Sequence, residues 1–304
     1  MDKANKLNFF KKGYGDRHDG WRVRKGDPIA AVTPFILARR TESEVFFDEK
    51  VELNNLEIFI KNNKELIPDL SIMHMIIAGM VRAISQRPRV NRFIIHNKMF
   101  ARNNISFSIA IKRNLTDEGE ETLIKPYYLP TDTLQDIVRK TNSEIEKNMQ
   151  SDSDNSSDEI SKVMSFLPDF LLRFVVKAIM KLDNIGLLPE ALTHASPFHT
   201  SIFLTNSGSI GIEPIYHHLY EVGNCSMFIS IGKKNRDITT QKDGTTKVDK
   251  SLTLRMVLDE RICDGFYYAS SIRLFHKILA HPEQLLLPPD KVVADECVGK
   301  KRLD

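Results

Sequence analysis

The sequence predicts an α+β layer architecture in one large domain. Three observations lead there. Strand-like alternation recurs in short segments scattered along the chain, helical periodicity occupies separate stretches before and after them, and no tandem repeat divides the 304 residues. Hydrophobic residues make up 41% of the chain, enough for a sizeable core, so disorder is excluded as the main state.

The elements follow in order. Phe46–Leu53 alternates loosely as a strand and enters a short helix, Asn55–Asn62. Leu70–Gln86 is a helix with Ile72, Met75, Ile76, Gly79, Met80 and Ala83 on one side, stopped by Pro88. Arg92–Ile95 and Lys98–Arg102 form a hairpin about His96-Asn97, and Ile105–Ile111 alternates in the same way. An acidic turn at Thr116–Glu121 leads to a strand at Thr122–Tyr127. A helix then runs from Leu134 to about Lys147, with Asp132 or Thr133 as its cap. Residues 150–159, rich in Ser and Asp, read as a solvated, mobile loop.

Residues 160–182 form an unusually apolar helix. Asp169, Arg173, Lys177 and Lys181 recur every four residues as one narrow polar stripe among Phe166, Phe170, Phe174 and many aliphatic residues. Such a helix is expected to be buried on most sides, by the core or by another subunit. Docking to a partner, a lid over a channel, or contact with a membrane surface are its functional alternatives. Strands at Ser201–Thr205, Ser226–Gly232 and Leu252–Leu258 follow. Gly265 opens an amphipathic helix with Ile272, Phe275, Ile278 and Leu279 inward, ended by His281-Pro282.

Charge and cysteine content exclude several classes. Lys and Arg number 43 against 40 Asp and Glu, with no basic block, which argues against a dedicated nucleic-acid binder. Cys225, Cys263 and Cys297 are an odd, sparse set, unlike a secreted disulfide scaffold. The first twenty residues lack the apolar core of an export signal, and no apolar run approaches the roughly 18 residues of a membrane span. A cytoplasmic location is expected, with residues 1–23 as a polar leader, 24–289 as the domain and 290–304 as a polar tail. His194, His199 and the pair His217-His218 lack an accompanying cysteine pair of zinc spacing, so no metal is expected. A Gly-rich phosphate loop, a Gly-x-Ser-x-Gly elbow and a dinucleotide fingerprint are all missing from the sequence.

Three segments carry more specific information: Arg87-Pro-Arg-Val-Asn91-Arg-Phe, Thr205-Asn-Ser-Gly208-Ser-Ile-Gly211-Ile, and Asp259-Glu-Arg-Ile-Cys-Asp264-Gly265-Phe. Together and in this order they resemble the catalytic domain of 2-oxo acid dehydrogenase acyltransferases and the related chloramphenicol acetyltransferases, over about Arg24 to Leu287. The resemblance implies the chloramphenicol acetyltransferase-like fold, a mixed sheet with flanking helices. It also implies a homotrimer with active sites between subunits, and a channel that admits acyl-CoA from one side and the acceptor from the other. In that family a histidine acts as general base on a thiol or hydroxyl, which attacks the thioester carbonyl. The motif's aspartate pairs with an arginine to hold the loop, and a hydroxyl on a facing turn stabilises the oxyanion.

Carried over, the structural aspartate is Asp264 and the hydroxyl is Thr205. The arginine is one of Arg24, Arg39 and Arg40. The histidine position is occupied by Glu260, either an altered base whose pKa burial would have to raise or a residue that merely pairs with Arg261 or Arg255. His217 and His218 are candidate alternative bases, and no cofactor-binding residue is assigned. No lipoyl-lysine module fits in the polar residues ahead of Arg24, so a lipoyl group, if used, is expected from another chain. The expected function is a stand-alone CoA-dependent acyltransferase with a small-molecule or lipoyl-type acceptor. The alternative is a non-catalytic trimeric scaffold or ligand-binding protein of the same fold.

Overall fold

A computed structural model of the chain describes residues 6–112, 121–150, 166–241 and 243–303. In chain order its elements are β1 (Gly20–Arg22), α1 (Pro28–Ile36), β2 (Glu44–Glu52), α2 (Asn54–Asn62), α3 (Ile72–Gln86), β3 (Arg92–Ile95), β4 (Lys98–Arg102), β5 (Ile105–Lys112), β6 (Glu121–Ile124), β7 (Tyr127–Tyr128), α4 (Leu134–Gln150), α5 (Asp169–Asn184), α6 (Glu190–Ala195), β8 (Ile202–Asn206), β9 (Met227–Thr240), β10 (Thr246–Asp259) and α7 (Gly265–Ala280). The main sheet runs β2-β10-β9-β8-β5-β6, with β7 also on β5, and β1-β4-β3 form a second sheet. β8 is parallel to both β5 and β9 while the other pairs are antiparallel, so the sheet is mixed and flanked by helices.

Alternation along each strand sorts side chains to two faces. Leu252, Leu254, Met256 and Leu258 of β10 share one face with Ile229 of β9 and Leu204 of β8, and join the core with α3 and α7. The other face carries Phe203, Phe228 and Val257, packed with Leu219 and Cys225. α3 is buried from His74 to Ser85 between the sheet core, α4 and α7, and α7 meets it where Gly79 lies. A Cβ at Gly79 would come within 2.9 Å of the Phe275 ring and 3.0 Å of Leu279, so glycine sets how closely these helices approach.

Local chemistry explains the element ends. Ser71 accepts from the His74 amide and Asp264 from the Tyr267 amide, capping α3 and α7. Thr133 caps α4, and Asp136 returns the bond by accepting from the Thr133 amide and hydroxyl. His96 and Asn97 take positive φ angles of 48° and 57°, the backbone of a two-residue hairpin turn. α1, which periodicity does not reveal, is set by its Asp27 cap and by Pro28 in its first turn; Pro34 is its one buried residue.

Three expectations need comment. Residues 116–120 of the acidic turn, 151–159 of the Ser/Asp-rich loop and 160–165 of the apolar stretch lie outside the described residues, while Glu121 begins β6 and Gln150 ends α4. The segments read as polar leader and tail are seated on the fold. Phe10 and Trp21 pack with Ala294 and Val298, the Trp21 indole donates to the Phe10 carbonyl, and β1 pairs with β4. A few apolar anchors spaced among polar residues hold these segments, a pattern that composition hides.

The third is a correction. Within one chain the core does not bury the apolar helix on most sides, since the only buried residue of α5 is an acid, Asp183. The helix is anchored ionically. Arg17 Nη2 lies 2.6 Å from Asp183 Oδ1, His199 Nε2 lies 3.2 Å from Oδ2, and Arg17 also binds Asp19 at 2.9 Å. Burial opposes the Asp183 charge, but the His199 hydrogen bond and Arg17 outweigh it and hold the carboxyl below its usual range. Burial likewise holds His199 below its ordinary value despite Asp183. As pH falls through about 6.5, therefore, the unfolded chain takes up a proton that folded His199 resists, and stability declines. The Asp183 contribution, present above about pH 4, is lost later, as pH falls through its lowered folded value. Urea unfolding at pH 7 is expected to show Asp183→Asn destabilised by about 3 kcal/mol. The wild-type midpoint is expected to fall between pH 7 and 5, and His199→Gln to flatten that segment; a pH-independent wild type would refute this anchor.

Candidate active site

The site is organised where β10 ends. Asp259 is fully buried, and its carboxylate accepts from Arg261 Nε at 2.8 Å and Nη2 at 2.7 Å, with Arg40 Nε at 3.9 Å. Arg261 Nη1 also donates to the carbonyls of Leu37 and Ala38, tying the turn to the chain just after α1. The Tyr268 hydroxyl donates to the Asp259 carbonyl and the Glu260 amide to that of Ser43. With its neighbours fixed in this way, Glu260 is left on the surface, where it lines a cavity of about 630 Å³.

Ile29, Phe35, Phe47, Met99 and Tyr268 contribute to the cavity wall, and cations dominate its charge. Arg22, Lys25, Arg89 and Lys98 line it and have no carboxylate partner among the described residues. Three carboxylates line it: Asp27, Glu260 and Asp264. Asp27 and Asp264 cap α1 and α7, so Glu260 is the one whose side chain is not engaged among the described residues. Cys263 lines the same cavity, but burial pushes its thiol up to about 12, which excludes a thiolate nucleophile near neutral pH.

The expected loop-holding pair is displaced. Asp264 is exposed and forms no ion pair among the described residues. Of its proposed partners, Arg24 pairs with Asp16 at 2.9 Å, Arg39 is exposed, and Arg40 faces Asp259. The arginine-held carboxylate is thus Asp259, because the Asp264 carboxylate is occupied by the helix terminus while Asp259 is enclosed beside two guanidiniums. Glu260 pairs with neither suggested arginine. Arg261 is taken by Asp259, and Arg255 by Asp48 at 3.0 Å and the Pro214 carbonyl. Sequence reasoning passed over Asp259 and the cations Lys25, Arg89 and Lys98. Asp259 and Arg261, two residues apart in the motif itself, were the available signal.

Thr205 stands at the end of β8. Its Oγ1 is sealed from solvent and has no hydrogen-bond partner among the described residues, while Ser230 beside it bonds Ser207 and the Ile215 amide. A Cβ at Gly208 would meet the Gly232 carbonyl at 2.4 Å, so glycine lets the turn after Thr205 lie against β9. Register separates Thr205 from Glu260. Thr205 is level with Ser230, which is level with Arg255, five residues before Glu260. That is roughly 16 Å along the sheet, with two strand spacings across it.

His217 lies on the face that carries Thr205. Its ring stacks on Phe228 at 4.3 Å, and its Nδ1 donates to the His218 carbonyl at 3.0 Å. His218 is exposed. Within one chain His217 therefore shares a sheet face with Thr205. His194 stacks on Tyr127 and His199 holds Asp183. Among the described residues no group of three or more His, Cys, Asp or Glu is placed to hold a metal.

No family model and no curated protein matches the chain by sequence. Solved structures do. The cubic core of the pyruvate dehydrogenase multienzyme complex superposes with a TM-score of 0.54 at 11% identity, over 85% of this chain and 89% of that one. The dihydrolipoamide acetyltransferase of Azotobacter vinelandii, studied for the role of a serine, a histidine and an asparagine in its catalytic mechanism, gives 0.50 at 13% identity over 85% and 89%. The truncated catalytic core of the 2-oxoacid dehydrogenase multienzyme complex from Thermoplasma acidophilum gives 0.50 at 12% over 85% and 97%. With its mixed sheet and flanking helices, the chain has the fold of the acyltransferase catalytic cores of 2-oxo acid dehydrogenase complexes.

Proposed function

We propose that this chain is a CoA-dependent acyltransferase that acts as a homotrimer and moves an acyl group between a CoA thioester and a thiol or hydroxyl acceptor. The observation that carries this reading is Glu260. It is the one unengaged carboxylate in a cavity otherwise rich in unpaired cations, at the motif position where the resembling enzymes carry a base. Arg22, Lys25, Arg89 and Lys98 suit the phosphates of CoA. The acceptor is a small molecule or a lipoyl-type thiol.

In this reaction Glu260 removes the proton of the acceptor as its sulfur or oxygen attacks the thioester carbonyl. The Thr205 hydroxyl of a neighbouring copy donates a hydrogen bond to the oxyanion and keeps its proton. Collapse breaks the carbon–sulfur bond of the donor, and Glu260 returns the proton to the leaving CoA sulfur. A partner copy is needed because Thr205 and Glu260 of one chain lie roughly 16 Å apart along the sheet. The same copy would cover α1, whose Ile29, Val32, Phe35 and Ile36 are exposed beside the cavity and carry no charge.

His217 is the alternative proton acceptor, since it shares the Thr205 face. The rival function, a non-catalytic scaffold of this fold, rests on the glutamate standing in the histidine position.

With acetyl-CoA and a panel of thiols and alcohols, CoA release is expected from the wild type. Glu260→Gln is expected to lower turnover at least a hundredfold, and Thr205→Val by about the same factor. His217→Gln is expected to leave activity within a few-fold. Loss of activity in His217→Gln with retention in Glu260→Gln would move the base to His217, and absence of both turnover and CoA binding in the wild type would favour the scaffold. Asp259→Asn leaves two buried guanidiniums without a counter-charge, and is expected to lose activity together with about 3–5 kcal/mol of stability in urea titrations.

A further inference from the structure

The outer face of α5 is not explained by acyl transfer. Phe170 is 75% exposed and Phe174 68%, and Phe166, just ahead of the helix, is 87% exposed. These three stand four residues apart in one row. Arg173, Lys177 and Lys181, also four apart and all exposed, form the adjoining row. These cations have no carboxylate partner among the described residues, and Asp169 is the one exposed acid on the helix. The other acid, Asp183, is turned inward to Arg17 and His199, which fixes the helix on the body of the protein.

We propose that this face seats the protein on an anionic lipid surface. The Phe residues enter the boundary between headgroups and acyl chains, while Arg173, Lys177 and Lys181 lie at the level of lipid phosphates. Charge selects this occupant. α1 exposes an apolar surface with no charged side chain, whereas α5 interleaves its aromatics with three cations, a pattern complementary to anionic headgroups above an apolar layer. Among the described residues no helix is long and apolar enough to cross a membrane, so the contact is peripheral.

The full chain should co-sediment with vesicles of 30% phosphatidylglycerol in phosphatidylcholine, and not with pure phosphatidylcholine vesicles. High salt should release it. The double variants Phe170→Ser/Phe174→Ser and Lys177→Gln/Lys181→Gln should each weaken binding on the order of tenfold, with thermal melts confirming that they fold. Absence of binding to anionic vesicles, or binding indifferent to both double variants, would overturn the proposal. So would loss of oligomeric mass in Phe170→Ser/Phe174→Ser without vesicle binding by the wild type, which would make the face a subunit contact. The assay needs no turnover, so its outcome is independent of that of the transferase reading.

Discussion

The buried carboxylate of Asp259 is the constraint on which the site depends. It lies at the end of β10, where the sheet gives way to a turn, and two guanidiniums meet it there. Arg261 reaches on to the carbonyls after α1, and Arg40 to those of Ile94, Tyr220 and Gly223. One buried charge thus gathers the β10 turn, the end of α1, the second sheet and the loop before β9. An ionic knot of this kind adds little net stability, because desolvation of the three groups offsets their attraction. Its effect is positional: it fixes both neighbours of Glu260 and leaves that side chain directed outward.

Register keeps apart the two parts of the proposed site. β8 and β10 flank β9, but Thr205 and Glu260 lie five residues of register apart, so a single chain presents a sealed hydroxyl at one place and an open carboxylate at another. Each half is incomplete in its own way. The Thr205 oxygen is desolvated with no partner among the described residues, and Glu260 lies among cations at a cavity mouth bordered by the apolar surface of α1. Both deficits are met at once if copies assemble head to tail in a ring.

Much of this fold was legible in the sequence, for reasons that can be named. Period-two alternation in Leu252–Leu258 marked a strand with one face to the core, and His96-Asn97 marked a two-residue turn that needs positive φ. What sequence missed is where tertiary context decides. Phe10 and Trp21 are isolated anchors, invisible to composition. The apolarity of α5 argued for burial, yet the helix is tied down through Asp183 and exposes its row of Phe residues within the single chain, because a partner at long sequence distance, Arg17, settles which side turns inward. In the motif, Asp264 caps α7 and Glu260 lines the cavity, while the arginine went to Asp259. Spacing cannot tell a carboxylate that caps a helix from one that is buried five residues earlier.

The central claim is that Glu260 of one copy and Thr205 of another make one site, and complementation tests it most directly. Glu260→Gln and Thr205→Val chains, each inactive alone, are mixed, unfolded together and refolded, and CoA release from an acyl-CoA donor is followed. Mixed trimers contain interfaces where an intact Glu260 meets an intact Thr205, so activity should return to a substantial fraction of the wild-type level. Mixed trimers that form yet remain as inactive as either parent would contradict the account.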